Sequence, residues 1–174
     1  MRREQRPISA AKGGGHFNGK HGRIQTWLLS AGWQIGEAHA DNAMWVVGAI
    51  NPMGHPIAIV QAQQPSDMLV IQAQAEFDES IRQKFAEFSA EQREAHLMEI
   101  KLGLLQMGVG FNGLADPLER VSITHNVYDD GLTKDNFFRR VEQVRYAVLY
   151  LIWSLNHKLG NPPQDNWQET LNVH

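Results

Sequence analysis

The sequence predicts an α+β fold, an antiparallel sheet with helices packed on it in the order α-β-β-β-α-β-β-α. Three observations point there. Extended segments cluster at hairpin spacing, where a doubly wound sheet would alternate single strands with helices. Two segments with helical apolar periodicity open on capping residues and lie outside those clusters. The chain has 174 residues, 43% hydrophobic and 20% charged, a size and composition suited to one domain with a substantial core.

The first helical stripe is Ile24, Trp27, Leu28 and Ala31, within a segment from about Arg23 to Trp33 that Gly32 is placed to end. Met44 to Ile50 is rich in strand formers and runs into the turn cluster Asn51-Pro52-Met53-Gly54. Ile57 to Gln63 follows, then the turn Gln64-Pro65-Ser66-Asp67, then Met68 to Ala75. Pro56 stands at the start of the second strand, where a missing N–H does least harm. Residues 78–88, with Ile81, Phe85 and Phe88, are a further helical stretch.

Ser89 and Gln92 form a capping box that predicts a helix from Ala90 to about Met107. Leu97, Ile100, Leu104 and Met107 make one stripe and Met98, Leu102 and Leu105 an adjoining one, so a wide buried face is expected. Val109 to Leu114 and Arg120 to Val127 are the last strands, the second with half-buried alternation. After Asp129-Asp130-Gly131, Thr133 is placed to cap a long helix that reaches Leu159 and stops at Gly160-Asn161-Pro162-Pro163. The organisation expected is a flexible basic arm over 1–21, a single α+β domain over 22–160 and a tail over 161–174.

The charge balance is modest. A net charge of -3 provides no overall field for nucleic acid, and no apolar run approaches a bilayer span or the core of a signal peptide. The absence of cysteine excludes disulfides, thiolate metal sites and a cysteine nucleophile, and suits a cytoplasmic protein. Only the arm is basic, with Arg2, Arg3, Arg6, Lys12 and Lys20 against Glu4.

Each near-match to a catalytic motif fails at a definable position. Gly14 to Lys20 spells the start of a phosphate-binding loop, but His21 stands where a Ser or Thr should hold magnesium and no strand precedes it. His16 and His21, five apart, are poorly placed as a helical metal pair, and His39 with Asp41 lacks the third ligand that a zinc site needs. Asp129 and Asp130 read as turn residues ahead of a helix N-terminus. His125 sits among aliphatic strand positions without an orienting carboxylate in view. No catalytic residue, cofactor or metal is therefore expected.

The long last helix carries the one functional signal. Phe137, Val141, Val144, Val148, Leu151, Ile152 and Leu155 fall in a single arc, the core face. Tyr146, Tyr150 and Trp153 recur on nearly the opposite side, with Arg139 and His157. Either another helix, such as the one bearing Trp27, covers them, or Arg139, Tyr146, Tyr150 and Trp153 form a partner or dimer surface, since such residues dominate interface centres.

The segments Ile24-Gln-Thr-Trp-Leu-Leu, Gly54-His-Pro-Ile-Ala-Ile-Val-Gln and Asp130-Gly-Leu-Thr-Lys-Asp, with the element order, resemble small prokaryotic families of unknown function in the type III secretion chaperone-like superfamily. The resemblance spans about residues 22–160. It implies a small dimer that holds an extended segment of another protein, and it supplies no catalytic residues. The expectation is a non-catalytic protein-binding module, chaperone-like or regulatory, whose partner is another protein or its own copy as a homodimer. The alternative is a small ligand-binding protein or enzyme with a pocket built around His125, His55 or His96.

Overall fold

The computed structural model describes residues 19–160. Helix α1 (Lys20–Ser30) leads into β1 (Gln34–Gly36), β2 (Ala43–Ile50), β3 (Pro56–Ala62) and β4 (Met68–Glu76). Helices α2 (Glu79–Ala86) and α3 (Ala90–Gln106) follow, then β5 (Gly110–Asn112), β6 (Arg120–Tyr128), a single 3-10 turn over Asp129–Gly131 and α4 (Lys134–Lys158). The strands form one six-stranded antiparallel sheet in the order β1-β2-β3-β4-β6-β5. This is the α+β architecture expected, with β1 as an added strand.

Local chemistry explains the boundaries. The Ser89 side chain accepts from Gln92 N while the Gln92 side chain accepts from Ser89 N, so the capping box is closed at the start of α3. Asp78 accepts from Ile81 N at α2, and Thr133 accepts from Asn136 N at α4. In the β2–β3 turn the Asn51 carboxamide oxygen accepts from Met53 N at 2.9 Å and His55 N at 2.8 Å, and Gly54 adopts a φ of 85° that a side chain would resist. Helix α1 begins at Lys20, so Lys20 and His21 are helical and do not belong to an extended arm. Lys20 bonds the Ser66 carbonyl at 3.3 Å and pairs with Asp129, while His21 stacks on Trp45. These ties hold α1 to the 63–67 loop and the 3-10 turn. Residues 14–18 of the phosphate-loop match, and His16, lie outside the described residues.

Pleating divides the sheet cleanly. Ile57, Ile59, Leu69, Ile71, Val121, Ile123 and Val127 are buried on one face, where α1 lies over β1 and β2, α4 over β4 and β6, and α3 beside α4 and β5. Burying a side chain of this kind contributes roughly 1.5–3 kcal/mol relative to exposure, so this layer is the main stabilising element. The alternate positions face away from these helices.

The wide buried face expected for α3 is not found. Leu97, Ile100 and Leu104 are buried, but Met98, Leu102 and Leu105 are exposed. The sheet on one side and α4 on another leave the far side of the helix to water, whatever its composition.

Candidate partner-binding groove

Helices α3 and α4 run antiparallel. Met107 meets Gln143, Gly103 meets Tyr150, and Glu99 pairs with Lys158. The apolar arc read from the sequence of α4 is buried as expected, from Phe137 through Leu155. Trp27 of α1 packs against Phe137, with ring centroids 5.8 Å apart. The Trp27 helix therefore contacts the core side of α4. It is α3 that covers part of the aromatic side.

That cover is partial, and it divides the four predicted residues. Tyr150 lies over Gly103, its hydroxyl 3.5 Å from the Glu99 carbonyl oxygen, and serves helix packing. Tyr146 and Trp153 remain 53% and 48% exposed. Arg139 is exposed and pairs with Asp135 at 2.6 Å. Arg139 and Tyr146 share an open groove of about 600 Å³ with Met107, Phe138, Glu142 and Gln143, whereas Trp153 stands outside it, two helical turns beyond Tyr146.

The groove has an apolar floor and a charged rim. Phe138 packs against the core and edge-on to Phe137 at 5.3 Å. Gln143 donates to the Met107 carbonyl, which joins the end of α3 to α4 at the groove wall. Arg145, which does not line the groove, bonds the groove residue Glu142 through Nε at 2.9 Å and lies 5.2 Å from the Tyr146 ring centroid. Such a guanidinium–aromatic contact is worth roughly 0.5–1 kcal/mol at an exposed site and restrains the phenol without covering it. The groove can bury an apolar or aromatic side chain while Asp135 and Arg139 bond a neighbouring backbone. Met107 was missed because the register of α3 against α4 is set by tertiary packing, and Phe138 and Gln143 because they flank the apolar arc of α4 without standing out as aromatic or basic on its far side.

The histidines are placed apart. His125 Nδ1–H donates to the Asn126 carbonyl at 2.9 Å, and Nε2 accepts from Arg140 at 3.3 Å. Burial, and then the Arg140 charge, hold its pKa below the ordinary histidine value against the opposing Asn126 contact. His55 is buried in the β2–β3 turn, where burial first and Arg145 second lower its pKa while Glu142 raises it. His96 packs edge-on to Phe88 at 4.9 Å. None of the three lines the groove. His39 and Asp41 are exposed ahead of β2, and among the described residues no group of three or more His, Asp or Glu is arranged to hold a metal. Asp129 and Asp130 form the 3-10 turn before α4, Asp129 engaged by Lys20. A second cleft of about 700 Å³ at the β4–α2 junction is polar; of its four acids, Glu76 and Glu79 pair with Arg120 and Arg82, Asp78 caps α2, and Glu119 is the fourth.

Fold and site together define a small α+β protein with a helix-borne groove and one helix-covered sheet face. Residues 21–155 match the uncharacterized conserved proteins designated DUF2299, and the chain belongs to that family. Its structure is similar to that of an uncharacterized protein from Methanothermobacter thermautotrophicus, with a TM-score of 0.72 at 23% identity over 79% of this chain and 97% of that one. A more distant similarity links it to YbjN, a candidate transcription regulator from E. coli, with a TM-score of 0.48 at 14% identity over 78% of this chain and 91% of that one. No curated protein matches the sequence significantly. Among the described residues no helix is long and apolar enough to cross a membrane.

Proposed function

We propose that this chain is a non-catalytic, cytoplasmic protein-binding module, chaperone-like or regulatory in role, that holds a segment of another protein in the groove of α4. One observation carries the proposal: Tyr146 is about half exposed over an apolar floor of Phe138 and Met107, beside the Asp135–Arg139 pair. Tyrosine and arginine side by side are enriched at interface centres, the ring offering an apolar body with a polar tip. The groove is open along the helix surface rather than enclosed, a shape suited to a side chain presented by another protein. The edges of the sheet are poor alternatives, since β1 and β5 offer three residues each for strand addition. The resemblance to secretion chaperone-like proteins supports the same class of role.

The test is photo-crosslinking in the native host, with the reactive residue placed at Tyr146, at Arg139, and at the exposed off-groove position Gln83. The expected result is one protein adduct shared by the first two positions, absent from the third and lost with Phe138→Glu. Equal adducts at all three positions would end the proposal. So would strong thermal stabilisation by a metabolite or metal that His125→Gln or His55→Gln abolishes and Phe138→Glu leaves intact, which is the outcome for a histidine-lined ligand site.

A further inference from the structure

The face of the sheet turned away from α1 and α4 has an unusual composition. Strand register places Val46, Val60 and Val70 side by side across β2, β3 and β4, and all three are half-buried. Ala58 and Gln72 form the next row, opposite Thr124 of β6. Along the paired strands, the charged residues facing this side are Glu76 and Arg120, cross-strand partners that neutralise each other 2.5 Å apart at one end. A soluble surface is designed at about 25–35% charge, whereas the paired strands of this face carry one self-cancelling pair, a valine row, and the uncharged polar side chains Gln72, Gln74, Ser122, Thr124 and Asn126.

We infer that this open face is the interface between two copies of the chain, stacked sheet on sheet about a two-fold axis close to Val60 and Val70. The area suits such a pair. Four strands of seven to nine residues, at about 4.8 Å between strands and about 3.3 Å per residue, give on the order of 500 Å² of flat surface. Side-chain relief adds to that, while Glu37 and Ala38 of the β1–β2 connection lie against Gly48 and cover its corner, so each copy approaches the lower end of the roughly 600–1,000 Å² per partner of a standard interface. Two twisted sheets pack about 10 Å apart at a shallow angle, a spacing that Val and Ala side chains fill.

Charge selects the occupant. A two-fold interface sets each patch against its own copy, so a face without net charge meets itself without net repulsion. Residues 1–18 carry Arg2, Arg3, Arg6 and Lys12 against one acid, and residues 161–174 carry Asp165 and Glu169. The paired strands of this face offer no net charge to either set. The pairing is independent of the α4 groove, which lies on the helical side of the sheet.

The experiment is sedimentation equilibrium on the full chain from micromolar to hundreds of micromolar, with far-UV circular dichroism as the folding control. The wild type should be a dimer. Val60→Lys, which sets two like charges at the axis, should weaken dimerisation by at least about 100-fold. Mixing Val60→Lys with Val60→Glu should restore a heterodimer through opposite charges, a result that misfolded variants would not give. Gln74 is exposed on the same face, so Gln74→Glu tests the interface without burying charge in the monomer and should weaken the dimer about tenfold. Tyr146→Ala should leave the dimer unchanged. A wild type monomeric throughout, a dimer indifferent to both Val60→Lys and Gln74→Glu, or a dimer lost on deleting residues 161–174 would overturn the inference.

Discussion

Gly103 sits where Tyr150 of α4 crosses α3, and replacing it sets two known effects against each other. A Cβ at this position would stand 2.0 Å from the Tyr150 hydroxyl oxygen and 2.3 Å from Cζ, far inside the 3.5–4.0 Å at which non-bonded heavy atoms attract. In an unobstructed helix interior, glycine to alanine stabilises by about 1 kcal/mol. Here Gly103→Ala must expel the phenol from its seat, at about 1–3 kcal/mol of overpacking or lost contact. The expected sum is a destabilisation of up to about 2 kcal/mol. With Tyr150→Ala already in place the obstruction is gone, and the same Gly103→Ala change should stabilise by about 1 kcal/mol. Urea unfolding of the wild type, both single variants and the double variant gives the coupling energy, expected at about 1–3 kcal/mol. If Gly103→Ala stabilises the wild-type background, or if the two changes add within about 0.5 kcal/mol, Tyr150 does not occupy that seat.

Two further outcomes follow from burial and titration. Leu104→Ala removes a fully buried side chain and should cost about 2–5 kcal/mol, while Leu105→Ala, one residue on and 61% exposed, should stay within about 0.5 kcal/mol; equal effects in urea denaturation would contradict the orientation of α3. His125 has its native pKa held below its ordinary 6.5, so it contributes its full stabilisation above that value. As pH falls from there through the lower native pKa, the unfolded chain takes up a proton that the folded chain refuses, and stability drops. A pH series of unfolding midpoints should show that loss, with His125→Gln flattening it and the similarly lowered His55 supplying the remainder; stability rising on acidification would reverse the assignment.

The elements most legible in the sequence are those specified by short-range chemistry. Ser89 with Gln92, Thr133, and the clusters at Asn51–Gly54 and Gln64–Asp67 place helix starts and hairpins within a residue or two, because caps and turns are decided by neighbours in the chain. Strand β1 was missed, since Gln34-Ile35-Gly36 is too short for periodicity and becomes a strand only by pairing with Ile50, Ala49 and Gly48. The two stripes of α3 look alike in sequence, and only the placement of the sheet and α4 decides that Leu104 is buried and Leu105 is not. The groove was half legible for the same reason. Arg139 and Tyr146 stand out on the helical wheel of α4, but Met107 and the wall it forms come from a different helix.

Strands β1 and β5 close the sheet with three residues each, and this sets how the molecule can grow. Unpaired strand edges accept further strands without limit, which is the geometry of fibres. A face consumed by one partner is unavailable to the next, so assembly through the broad side stops at a fixed stoichiometry. On the pairing inferred above, a sheet face without net charge between truncated edges gives a mode of association that terminates itself.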